Sequence, residues 1–179
     1  MYISQVKETL ENIELSKWST LISLIESTWI TNKVVFTCGN GGSASIAAHF
    51  VTDWNKGLSE NLGKQIKAVN LNSNISLLTA IANDFSYDEV FSKQISYLGK
   101  SGDLLLAISG SGNSKNTLVA VETAKSLGMR VVSLTGFAGG KLKPMSDFNL
   151  NVNSNNMQVI EDVFSVFGHA VYSTLLSKL

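Results

Sequence analysis

The sequence predicts an α/β fold: a three-layer sandwich with a five-stranded parallel sheet between helices on both faces, preceded by an N-terminal helical extension. Three observations predict it. Short apolar runs alternate with helical patterns along 179 residues, and strands that alternate with helices are joined by crossovers that make them parallel. Two loops share one grammar, each after an apolar run and before a helical pattern: Cys38-Gly39-Asn40-Gly41-Gly42-Ser43 and Ser109-Gly110-Ser111-Gly112-Asn113-Ser114. The length suits one domain with a substantial core, divided into N-terminal helices over 1–31 and an α/β core over 32–179.

Each element has its own signal. Val6, Leu10, Ile13, Leu15, Trp18, Leu21, Ile22, Leu24 and Ile25 recur at helical spacing and predict one or two amphipathic helices. The first strand is expected at about 33–37, followed by a helix from Ser43 to about Lys56 and a loop over 57–63. A short strand near 66–70 leads to a helix over about 73–82, which Asn83-Asp84 breaks. Asp88 is placed to cap a further helix reaching about Leu98. The third strand spans 103–108, and the helix from Ser114 to Leu127 ends at Gly128, the usual residue past a helix C-terminus. Strand four is expected at 130–134, a loop at 135–143 before Pro144, strand five at 148–152, and a last helix from the polar segment 153–156 to Leu179.

Composition narrows the function. Fourteen basic residues balance fourteen acidic ones, so no charge imbalance points to nucleic acid or a membrane surface. Lys7, Glu8, Glu11, Glu14, Lys17 and Glu26 break residues 1–31, so no secretory leader is expected there, and no uninterrupted membrane span is expected. One cysteine, Cys38, cannot form an internal disulfide. That fits the cytoplasm, with Cys38 as a packing residue.

The two loops carry the first chemical signal. Glycine permits the tight turn from strand to helix, serine and asparagine add hydroxyls and amides, and a helix N-terminus adds free N–H groups and a positive dipole end. Both loops fall at strand carboxyl ends, where parallel sheets bind ligands. Together they suggest a ligand with a phosphate and several hydroxyls.

The only two histidines carry the second signal. Ser45, His49 and Asp53 lie four apart on one helical face, and Glu161, Ser165 and His169 form a second polar column on a largely apolar helix. Two histidines and two carboxylates suit zinc or acid–base work equally. A surface ion pair uses the same i, i+4 spacing as His49 and Asp53, and the residues alone leave both readings open. Glu161 and His169 lie about 12 Å apart along a straight helix, which suits two sites, or one site built from two subunits, better than one small ligand.

These segments, with Ala82-Asn83-Asp84-Phe85, Leu134-Thr135-Gly136 and Gly139-Gly140-Lys141, give the chain a resemblance to the sugar isomerase (SIS) domains. More narrowly, it resembles the phosphoheptose isomerases over nearly its whole length. The resemblance implies a flavodoxin-like sheet and aldose–ketose isomerisation of sedoheptulose 7-phosphate to D-glycero-D-manno-heptose 7-phosphate, for lipopolysaccharide or capsule heptose. Carried over, the phosphate loop is Ser109, Gly110, Ser111 and Ser114. Asn40, Gly41, Gly42 and Ser43 with Asn83 and Asp84 meet the sugar. Asp53 and His169 move protons, with Glu161 able to share the base role, and the metal positions fall at His49, Asp53, Glu161 and His169. One zinc ion per subunit and a homotetramer with sites at subunit interfaces are implied.

Three departures accompany the resemblance: Asp53 stands where Glu is usual, Glu161 where Gln is usual, and Gly110 where Thr is usual. Glu161 adds a charge that favours a cation or raises a neighbouring carboxylate's proton affinity. Two other readings stand beside the leading one: an isomerase of another phosphosugar, and a non-catalytic SIS protein that binds a partner such as the replication initiator.

Overall fold

The computed structural model describes residues 1–178. Two helices, α1 (Tyr2–Glu11) and α2 (Leu15–Ile30), precede β1 (Val35–Cys38). Then come α3 (Gly42–Thr52), a π-helical turn (Asp53–Leu58), α4 (Ser59–Leu62), β2 (Ala68–Asn70), α5 (Ile75–Asp84), a 3-10 turn (Tyr87–Glu89) and α6 (Ser92–Leu98). The second half holds β3 (Leu104–Ser109), α7 (Lys115–Ser126), β4 (Arg130–Gly136), α8 (Leu142–Met145), β5 (Phe148–Val152) and α9 (Met157–Leu176). The five strands form one parallel sheet in the order β2-β1-β3-β4-β5.

The sheet separates two cores, as a parallel sheet buried on both faces must. Along β3, Leu104, Leu106 and Ile108 enter the core with α2, α3 and α9, while Leu105 and Ala107 enter the one with α5, α6 and α7. The first core is rich in rings. Phe50 stacks on Trp54 at 5.3 Å, Trp29 meets Trp54 edge-on at 5.3 Å, and Phe50 meets Phe167 at 6.0 Å. Gly168 backs directly onto the Phe50 ring, leaving no room for a side chain between α3 and α9.

By length and composition alone α9 is long and apolar enough to cross a membrane, with mean hydropathy 1.2 over an 18-residue window of its 20 residues, a test that the buried core helix of a folded domain also passes. Its apolar face (Val159, Ile160, Val163, Phe164, Phe167 and Val171) is buried in the first core.

Several boundaries differ from expectation. The expected loop at 57–63 is helical as far as Leu62, because the chain leaves α3 through the π turn rather than unwinding. Gly57 accepts the Tyr172 ring against its backbone. The Asn55 carboxamide donates to the Ala68 carbonyl and accepts from the Ala68 N–H, both at 2.8 Å. Gly63, at φ +59, then ends the segment. Asn83 and Asp84 lie inside the last turn of α5, so the break falls at Phe85. Asp88 caps no helix; it sits in the 3-10 turn. Pro144 lies in the first turn of α8, where no backbone donor is needed. Strand five has the expected bounds, and Leu179 lies outside the described residues.

Cys38 is fully buried at the end of β1, and burial pushes its thiol up to about 12. A thiol reagent at mildly alkaline pH is expected to leave the native protein unlabelled and to take up a single equivalent after denaturation. Rapid labelling of native protein would overturn the packing role.

Candidate active site

The order of the strands sets where a site can form. Neighbours β1 and β3 send their chains to opposite sides, to β2 and β4, and crevices open at the carboxyl ends of strands where the order reverses. Both glycine loops leave from those two strands. They therefore flank one crevice, with α3 and α7 starting on either side.

The second loop is clasped by the last residue of β4 and the segment that follows it. Gly110 O accepts from Gly136 N–H at 2.8 Å, Gly112 O from Leu142 N–H at 2.9 Å, and Asn113 Oδ1 from Lys141 N–H at 3.1 Å. Inside the loop, Gly112 N–H reaches Ser109 Oγ at 3.2 Å and Ser109 Oγ donates to Ser114 Oγ at 3.3 Å. Ser114 is the N-cap of α7, yet its side chain makes no cap hydrogen bond. Its hydroxyl and the first-turn N–H groups of α7 are thus placed for an anion. Gly110 backs onto Met157. Lys115 is exposed and paired with Asp88 at 2.5 Å, and that hydrogen bond raises its pKa.

At the first loop, Gly41 takes φ +54 and Ser43 is buried. Here the helix N-terminus already faces an anion: the Glu161 carboxylate lies against Gly42, where the dipole favours negative charge. Asn83 donates to Asp84 at 2.9 Å in the last turn of α5, and both are exposed.

The two polar columns meet. His49 Nε2 is 3.1 Å from Asp53 Oδ2, His169 Nε2 is 3.8 Å from the same oxygen, and the two Nε2 atoms are 3.3 Å apart. Each histidine side chain is 58% exposed, so the cluster is open to a ligand. Ser45 and Ser165 line a groove with both histidines. Two imidazole nitrogens and a carboxylate oxygen facing one another can exchange hydrogen bonds or hold a cation. A tetrahedral zinc bound at about 2.0–2.1 Å needs donors about 3.3–3.4 Å apart, close to the separations seen. The two-histidine, one-carboxylate set also leaves a fourth position free.

Glu161 is outside this cluster. The structure joins His49, Asp53 and His169 as a metal-capable group and keeps Glu161 two turns away on α9, as the rise per residue requires.

Three residues went unnoticed in the sequence. Asn116, 2% exposed, exchanges amide hydrogen bonds with Asn40. Tyr87 Oη donates to Asn40 Oδ1 at 2.8 Å. Asn72 pins Gly39, donating to its carbonyl at 2.9 Å and accepting from its N–H at 3.3 Å. The only available signal was an excess of asparagine around the loops.

Two glycine loops at the switch point of a five-stranded parallel sheet, with a His–Asp–His cluster beside them, form the frame of the site. Residues 1–136 match the SIS domain family model, and the chain belongs to that family. It is 43% identical over 164 residues to the phosphoheptose isomerase of Helicobacter pylori (strain HPAG1), covering 92% of this chain and 84% of the relative. It is 35% identical to the probable phosphoheptose isomerase of Thermoplasma acidophilum, covering 99% and 97%. Among solved structures, that of phosphoheptose isomerase GmhA from Neisseria gonorrhoeae superposes with TM-score 0.89 at 36% identity, covering 97% of this chain and 92% of the other.

Proposed function

We propose that this chain is an aldose–ketose isomerase that converts sedoheptulose 7-phosphate to D-glycero-D-manno-heptose 7-phosphate in the cytoplasm, supplying heptose for lipopolysaccharide or capsule. The whole chain acts as one SIS domain and assembles as a homotetramer. The observation that carries the reading is the His49–Asp53–His169 cluster, in a chain 43% identical to a phosphoheptose isomerase.

The phosphate sits in the second loop, on the hydroxyls of Ser109, Ser111 and Ser114 and on backbone N–H groups at Gly110 and the start of α7. Little positive side-chain charge is needed, because helix N-terminus and amides supply the field. Gly41, Gly42, Ser43 and Asn40 face the sugar from one side, and Asn83 and Asp84 from the other. A base removes the proton from the carbon beside the carbonyl, a cis-enediol forms, and an acid returns the proton to the adjacent carbon. Asp53 and His169 form that pair. The Asp53 carboxylate, within 3.1–3.8 Å of two imidazoles, is held in place by them. His49 orients Asp53, and Glu161 presents a second carboxylate at the first loop. His49, Asp53 and His169 would hold zinc, which when bound supplies Lewis-acid polarisation of a substrate oxygen. The exposed apolar residues Ile3, Leu15 and Val166 are consistent with packing between subunits.

The test is turnover of sedoheptulose 7-phosphate by purified protein, with and without added zinc. Formation of the aldoheptose phosphate is the expected result. Folded protein that converts none under any metal condition would sink the substrate assignment and turn attention to other phosphosugars or to a partner-binding role.

A further inference from the structure

The parallel register of β1 and β3 runs out at Cys38↔Ala107. Beyond that pair the sheet no longer sets the distance between the two glycine loops. A side-chain pair sets it instead. Asn40 Nδ2 donates to Asn116 Oδ1 at 2.8 Å and Asn116 Nδ2 donates to Asn40 Oδ1 at 2.9 Å, across 76 residues of sequence. A reciprocal carboxamide pair has one geometry, so it fixes both separation and tilt. Tyr87 adds a third hydrogen bond to Asn40 Oδ1. Both lone pairs of the Asn40 oxygen and one of its N–H groups are then used, and a single N–H remains for any sugar. Asn116 is 2% exposed and meets no ligand directly.

We propose that Asn116 is a positioning residue. Through Asn40 it holds the first loop at a set distance from the phosphate loop, and so sets where the sugar lies relative to the proton-transferring groups. Asn40 serves chiefly as a strut between the loops, with Tyr87 bracing it from the 3-10 turn. The phosphate loop does not depend on this latch, since its own clasp to residues 136–142 is independent of Asn40. The consequence for turnover rests on the isomerase reading; the latch does not.

The experiment compares wild type, Asn116→Ala, Asn40→Ala and the double variant. Amide hydrogen exchange of residues 39–43 is followed in free protein, alongside inorganic phosphate binding by calorimetry and kcat/KM for sedoheptulose 7-phosphate. Losing one partner of such a pair is worth about a tenfold effect. Exchange in the first loop is therefore expected to rise about tenfold in each single variant, and no further in the double. Phosphate affinity should stay within about twofold, whereas kcat/KM should fall about tenfold or more, since small displacements of a bound substrate are costly. Asn116→Asp covers the case in which the alanine variant fails to fold. Its carboxylate would face the Asn40 oxygen without a proton to donate, so its loss should shrink as pH is lowered through the carboxylate range.

Exchange that stays at the wild-type rate in Asn116→Ala, or effects that multiply in the double variant, would overturn the latch whatever the turnover. Faster exchange in Asn116→Ala, with a wild-type protein that turns over no sedoheptulose 7-phosphate, would keep the latch and reject only the substrate. A parallel loss of phosphate affinity would show a general collapse of the crevice and overturn the positioning role.

Discussion

Replacing His169 by alanine is expected to lower turnover of sedoheptulose 7-phosphate by about 10²–10⁴-fold, the range for removing a group that transfers a proton. The physical case is local. His169 Nε2 stands 3.3 Å from His49 Nε2 and 3.8 Å from Asp53 Oδ2. Removing it leaves Asp53 with one imidazole, takes one of three donors from the metal-capable group, and deletes a candidate acid at once. The side chain is 58% exposed, so its loss should change stability by no more than about 0.5 kcal/mol. Denaturation therefore separates a damaged site from a damaged fold. A variant that keeps more than about a tenth of wild-type kcat, with unchanged zinc affinity, would remove His169 from both roles.

The second large effect is structural and reaches the same crevice from the other side. Gly112 has φ +65, and a Cβ there would overlap the carbonyl of Gly139; Gly140, at φ +55, is pressed against Ser111 and Gly112 in return. Two backbones approach here as closely as glycine allows. Gly112→Ala adds left-handed strain to a backbone clash that no side-chain rotation relieves, at a cost of about 2–5 kcal/mol. For a chain of this size that lowers the melting temperature by roughly 5–15 °C. The bond from Leu142 N–H to Gly112 O should break as the segments part, and phosphate affinity should fall with it. Calorimetric unfolding and phosphate titration check both. A melting temperature within about 2 °C of wild type would mean that the clasp yields easily.

The layered fold was legible because its signal is simple. Buried parallel strands are short apolar runs, and each was followed by a helix pattern or a glycine loop. The loops themselves were legible because glycine at a strand-to-helix turn has few other uses. The π turn was not, since one extra residue per turn leaves no recurring spacing and Gly57 reads as a breaker; only the Tyr172 ring against it explains its place. The His49–Asp53 contact followed from i, i+4 spacing, but its meeting with His169 depends on how α3 packs on α9 around Gly168 and Phe50. The separation of Glu161 from that cluster was implied by helix rise alone. Asn116 was invisible, because a carboxamide pair between distant segments imposes no spacing on either.

One small contact on the rim of the molecule bears on its behaviour in concentrated solution. β2 is an edge strand, and a bare edge is a template on which another chain can add a strand. On the inner side its backbone is taken by β1, where Val35 N–H meets Lys67 O and Leu71 N–H meets Thr37 O. On the outer side the Asn55 carboxamide covers both polar groups of Ala68, much as the peptide group of an added strand would. The π turn thus shields the strand's outer rim from self-association, and with only three residues in β2 there is little bare edge left on which an aggregate could start.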